Sequence, residues 1–110
     1  MILNELAQEC YEMAQQHGFW EEPVNYAEKI ALIHSELSEA LESLRKSDNP
    51  LEMWFSRDGL KIEGFGPELI DVLIRVLDLC GETKIDIDEL LKQKMEYNKK
   101  RPLRHGGKLA

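Results

Sequence analysis

Four acidic side chains fall in two short phrases, Glu36-Leu37-Ser38-Glu39 and Glu68-Leu69-Ile70-Asp71. On a helix, residues three apart lie one turn along the same face, with Cβ atoms about 5 to 6 Å apart, so each phrase presents a carboxylate pair. Like charges at that spacing repel mildly, and a helix that needed only solubility could carry Lys, Gln or Arg there. With Leu41 and Leu73 added, both phrases read E-L-x-acid-x-L. Two such helices packed face to face direct four carboxylates at one point, which is how helical bundles build oxygen-rich metal sites. Oxygen ligation without Cys and without a required His favours a hard cation, Mg²⁺ or Mn²⁺. A di-iron carboxylate bundle takes Glu-x-x-His on two helices, a spacing that His34 and Glu36 do not supply.

The elements that position these acids are readable as four helices and a tail. A first helix is predicted over about 2–17, with Leu3, Leu6, Ala7, Cys10, Met13 and Ala14 at helical spacing, ending at His17-Gly18. A second begins near Pro23 and reaches about Lys46, with Ala27, Ile30, Ile33, Leu37, Leu41 and Leu44 on one stripe and Glu36 and Glu39 on a different face. Residues 49–66 make an 18-residue connection, too long for a plain hairpin of helices, of the kind that forms lids, arms or binding loops or hides a short helix such as PLEMWF. A third helix is expected from Pro67 to about Cys80, ending at Gly81. Apolar residues wrap most of it, so it should be deeply buried. Its polar residues Glu68, Asp71, Arg75 and Asp78 form one narrow stripe. Asp86, with Glu89 three residues on, reads as the capping box of a fourth helix reaching about Lys99, after which Pro102 and Gly106-Gly107 prevent further helix. No strand pattern competes, and the expected class is an all-α four-helix bundle.

The 110 residues bound one small domain, 1–110, with 98–110 as a basic tail, near the size at which oligomerisation commonly adds stability. No apolar run approaches the roughly 18 residues of a membrane span. The opening MILNELAQEC lacks the basic n-region of a signal peptide, so a cytoplasmic location is expected. Cys10 and Cys80 lack CxxC spacing and read as small buried hydrophobes. Residues 1–91 carry seven basic against twenty acidic side chains, a balance of −13, while 92–110 carry seven basic against one acidic, a balance of +6. An acidic body repels nucleic acid polymers and suits a cation site, and a basic tail beside it could deliver a small polyanion to a metal.

These segments resemble the MazG-like, all-α nucleoside triphosphate pyrophosphohydrolase family, whose signature is EExxE on one helix followed by ExxD on the next. The matching residues are Ser35-Glu36-Leu37-Ser38-Glu39 and Glu68-Leu69-Ile70-Asp71, within KIALIHSELSEALESLR and PELIDVLIRVLDLCG, and KMEYNKKRPLRHGGK follows in the expected order. Ser35 replaces the first Glu of the signature and removes one outer carboxylate. The resemblance implies a bundle of that family's type, associated as a homodimer or homotetramer through an arm in 49–66. It implies Mg²⁺-dependent cleavage of a nucleoside triphosphate to the monophosphate and pyrophosphate. Metal falls to Glu36, Glu39, Glu68 and Asp71, with Glu39 as the chosen base and Glu36 beside it. In the family the fourth helix and tail lie near the substrate, so Lys94, Asn98 and Arg101, with Lys99, Arg104 and Lys108, are candidate phosphate or sugar contacts. Trp20 and Trp54 are candidates to stack on a base and His17 to hydrogen-bond one, while His34 reads as structural. Two other classes stay open: a nucleotide- or metal-binding regulatory module without turnover, hinted at by Ser35, and a purely structural oligomerisation domain with solvated acids.

Overall fold

Helix signals in the sequence become four helices in the computed structural model, which describes residues 2–21 and 23–101. They are α1 (Leu3–Gln16), α2 (Tyr26–Lys46), α3 (Phe65–Thr83) and α4 (Ile87–Lys100), with a two-stranded antiparallel hairpin, β1 (Trp54–Phe55) and β2 (Ile62–Glu63), between α2 and α3. The expectations placed on Pro102, Arg104, Gly106, Gly107 and Lys108 lie outside the described residues.

Several boundaries differ from the sequence reading for local reasons. α2 starts at Tyr26 rather than near Pro23, because the Asn25 side chain accepts from the Glu28 amide and so caps it. α3 starts at Phe65 and continues through Gly81 to Thr83, ending where Lys84 takes the left-handed conformation (φ 63°). Gly81 is a packing residue rather than a stop: a Cβ there would lie 2.4 Å from the Ala7 carbonyl oxygen, so only Gly lets α1 and α3 approach this closely. Asp86 caps α4 by accepting from the Glu89 amide, as the spacing predicts. It also accepts from the Asn4 side-chain amide, whose oxygen receives the Ile87 N–H, and these bonds tie the starts of α1 and α4 together.

The 49–66 connection contains strands where none were expected, and no helix forms in PLEMWF. The Asp58 carboxylate accepts from the Ser56 hydroxyl and the Leu60 amide, and Gly59 supplies a positive φ of 75°. The turn thus depends on side chains bonding their own backbone, which outcompetes the helical preference of flanking residues. Gly64 closes the hairpin against α3: with φ 137° it sits where a Cβ would fall 2.5 Å from the Glu52 carbonyl oxygen.

The packing leaves exposed much of the apolar surface expected to be buried. α3 is the central element and contacts both α1 and α2, whereas α4 meets α1 alone among its larger contacts. On α2 the buried residues are Ala40 and Ser43, with Glu36 half-buried one turn earlier, while Ile30, Leu37, Leu41 and Leu44 are exposed. On α3 the buried residues are Glu68, Leu77, Asp78 and Gly81, while Leu69, Ile70, Leu73, Ile74 and Val76 are exposed. The polar stripe of α3 therefore faces inward, and the helix is not deeply buried as its apolar content implied. Cys10 and Cys80 are half-buried rather than buried, and His34 is exposed on α2. Burial pushes both thiols up, and Asp78 and Glu9 push Cys10 further, so both stay protonated and unreactive. The radius of gyration is 16.7 Å, against about 13 Å for a closed domain of this length.

Candidate metal centre

α2 and α3 meet along Glu36, Ala40 and Ser43 on one side and Glu68, Asp71 and Arg75 on the other. Small residues at 40 and 43 let the helices close, so the acids of both converge. One carboxylate oxygen from each of Glu36, Glu39 and Glu68 lies within 4.8 Å of the others. Asp71 falls outside that triangle but lines the same cavity as Glu36 and Glu39, and its charge acts on Glu68.

Glu68 is the buried member, 5% exposed. Its Oε1 lies 3.8 Å from Lys61 Nζ, and its Oε2 has no hydrogen-bond partner. Burial holds its carboxyl above the usual range; Lys61 opposes that shift, and the charges of Asp71 and Glu39 add to it, as does a hydrogen bond with the Asp71 carboxyl when one of the pair is protonated. Its place in the first turn of α3 gives the carboxylate the favourable end of the helix dipole. An unpartnered buried carboxylate oxygen is costly, and a cation or a proton shared with Asp71 would relieve it. The donor set is all oxygen, and with Asp71 adjacent it fits a hard divalent ion.

Glu36 is engaged differently. Its Oε1 accepts from Arg75 Nε at 3.1 Å, and the Arg75 guanidinium stacks 4.9 Å above the Phe19 ring, which fixes the carboxylate's direction. Glu39 is exposed and makes no ion pair among the described residues.

A cavity of about 490 Å³ opens between α1, α2 and α3. Glu36, Glu39, Asp71 and Lys61 stand at its acidic side, and Cys10, Met13, Ala14, Phe19 and Ile74 give it apolar walls, with His17 and Asp78 also lining it. A second cavity of about 190 Å³ shares Glu39 and Lys61 with the first and is bounded by Trp54, Glu63 and Glu68.

The aromatic candidates separate. Trp54 borders the smaller cavity and donates its indole N–H to Glu63 at 3.1 Å, which braces the hairpin. His17 lines the larger cavity. Trp20 is already engaged: it donates to the Asp78 carboxylate, packs edge-on to Tyr11 with centroids 5.8 Å apart, and carries Lys29 Nζ 4.5 Å above its ring. Lys94, Asn98 and Arg101 are exposed on and just beyond α4 and line neither cavity; Lys94 and Arg101 instead flank the Tyr97 ring. Among the described residues the cations beside the acids are Arg75 and Lys61, and the sequence reading did not place Lys61 there. Arg75 and Asp78 carried a signal, lying on the stripe of Glu68 and Asp71, as did Phe19, beside His17 and Trp20. Lys61 carried none, because its position depends on a hairpin that no strand pattern announced. No protein-family model, curated protein or solved structure matches the chain.

Proposed function

We propose that the chain is a Mg²⁺-dependent nucleoside triphosphate pyrophosphohydrolase of the MazG-like all-α type, releasing pyrophosphate and leaving the monophosphate. The observation that carries this reading is the unpartnered, buried Oε2 of Glu68 at the meeting point of two helical acid pairs, beside a cavity of nucleotide size. Glu36, Glu39, Glu68 and Asp71 would hold the ion, with Mn²⁺ able to replace it. When bound, it neutralises phosphate charge and acidifies water.

The chain's own residues then divide the work. Arg75 holds Glu36 in a fixed direction, so one ligand is oriented before anything binds. Glu39, exposed and in no ion pair with the described residues, would accept the proton of the attacking water with the oxygen it does not give to the ion. Asp71 and Glu68 set the negative field that draws the ion in. The apolar walls with Phe19 and His17 receive the base, Trp54 flanks the neighbouring space, and Trp20 supports the wall through Asp78 rather than stacking on substrate.

The exposed leucines and isoleucines of α2 and α3, together with the open shape of the single chain, support a homodimer or pair of dimers in which these faces close on a second copy. In that assembly Lys94, Asn98 and Arg101 would reach phosphates that they do not approach within one chain. The setting proposed is cytoplasmic nucleotide clean-up, acting on free nucleotides and not on nucleic acid polymers. No described helix is long and apolar enough to cross a membrane.

The test is pyrophosphate release from a panel of ribo- and deoxynucleoside triphosphates with and without Mg²⁺, for wild type, Glu39→Gln and Asp71→Asn. Metal-dependent release lost in both folded variants is the expected result. Nucleotide binding without release would instead make the chain a regulatory module, and neither binding nor release would leave an acidic oligomerisation domain.

A further inference from the structure

Two cations of the chain stand against the acid cluster, and they are held in very different ways. Arg75 belongs to α3, is packed on Phe19, and bonds Glu36 at 3.1 Å with its side chain 26% exposed. Lys61 belongs to the hairpin, sits 3.8 Å from Glu68 Oε1, and keeps its side chain 53% exposed. Its backbone is pinned in both directions: the Ser56 N–H donates to the Lys61 carbonyl at 2.8 Å, and the Lys61 N–H donates to Ser56 Oγ at 3.1 Å. Only the flexible stem is left to move. Lys61 and Glu39 line both cavities, and the contact of the ammonium with Glu68 Oε1 leaves Oε2 without a hydrogen-bond partner.

We propose that Lys61 is the resident counter-ion of the acid cluster in the metal-free protein, that a divalent cation displaces it from Glu68, and that the released ammonium turns to phosphate groups in the cavity. The proposal rests on the metal centre described above. A monovalent, half-hydrated ammonium at this distance is a weak partner, whereas a divalent ion satisfies several carboxylate oxygens at once. Because the stem is flexible and its base is fixed, the same charge that shields the carboxylates without metal is in place to meet an anion once the metal has taken them over. Arg75 does not exchange, since its planar group is stacked on Phe19 and bonded to Glu36. The device keeps four neighbouring carboxylates from repelling one another in the empty protein and makes anion recruitment follow metal loading.

The experiment compares wild type, Lys61→Met and, as a charge control on the same turn, Arg57→Met. Mn²⁺ affinity is measured by electron paramagnetic resonance, and the affinity of the Mn²⁺-loaded protein for inorganic triphosphate by calorimetry. Lys61→Met is expected to bind Mn²⁺ about threefold to fivefold tighter, since a competing surface cation is removed, and to bind triphosphate about fivefold more weakly, with Arg57→Met unchanged in both. A general loss of structure would weaken both affinities together, so the opposite signs are diagnostic. Mn²⁺ affinity unchanged or lower in Lys61→Met overturns the counter-ion role. Tighter Mn²⁺ with unchanged triphosphate affinity overturns the hand-over to phosphate. Absence of Mn²⁺ binding in wild type overturns the metal centre and this proposal together. The two expected shifts without any pyrophosphate release would leave the Lys61 assignment standing and remove the hydrolase reading alone.

Discussion

Glu68 and Asp78 are two buried carboxylates on one helix, 5% and 7% exposed, and they have opposite surroundings. Asp78 faces α1 and the chain that follows it, where the Trp20 indole donates to it and Lys29 and Arg75 contribute positive charge. Glu68 faces α2, where three further acids gather, one half-hydrated ammonium touches one oxygen, and the other oxygen has nothing. A buried carboxylate supplied with partners from its own chain builds the fold. One left short of partners in a cluster of like charge destabilises the empty fold, and a bound cation or proton would relieve it.

The largest effect that could break this comparison is on turnover. Glu68→Gln is expected to lower pyrophosphate release about a hundredfold to a thousandfold, and its metal-free thermal stability should match or exceed that of wild type, because a buried charge has been removed. Saturating Mg²⁺, at about a hundred times its Kd, should add about 2.7 kcal/mol to wild type and much less to this variant, as read by thermal melts. Equal Mg²⁺ stabilisation of both would mean Glu68 is not a ligand.

Asp78→Ala probes the other side and should have the reverse profile. It orphans the Trp20 N–H and opens the α1–α3 contact, with an expected loss of about 2 kcal/mol in urea unfolding whether or not Mg²⁺ is present. Trp54→Phe removes the bond to Glu63 together with part of the half-buried ring, and should cost about 1 kcal/mol. An effect on nucleotide affinity beyond that would assign Trp54 to the substrate.

The smallest effect is on pH dependence. Burial holds Asp78 above its ordinary value of 3.8, against the opposing pull of Trp20, Lys29 and Arg75. Because the folded value is raised, protonation favours the fold. The contribution is complete below the unfolded value and is lost as pH rises through the folded one. The stability difference between Asp78→Asn and wild type should therefore shift in favour of the variant as pH rises through that interval, a trend that paired urea titrations at several pH values would reveal or refute.

The sequence by itself determined four helices, the Asp86 cap, and two acid pairs in register on α2 and α3, since capping and three-residue spacing act within one or two turns of chain. It also marked the stripe that brings Arg75 and Asp78 alongside Glu68 and Asp71. It did not determine which face of each helix turns inward. Periodicity identifies an apolar stripe but not what covers it, and Leu37 and Leu41 lie exposed while Glu36 packs against α3. Small residues decided that outcome: Ala40 and Ser43 on α2 and Gly81 against Ala7 permit close helix contact where larger side chains would hold the helices apart. The hairpin turn is local, set by Ser56, Asp58 and Gly59, although no strand pattern announced it. Only the tertiary structure made the Trp20 to Asp78 bond and the meeting of Glu36 with Arg75, because each joins residues whose separation along the chain carries no local preference for their meeting.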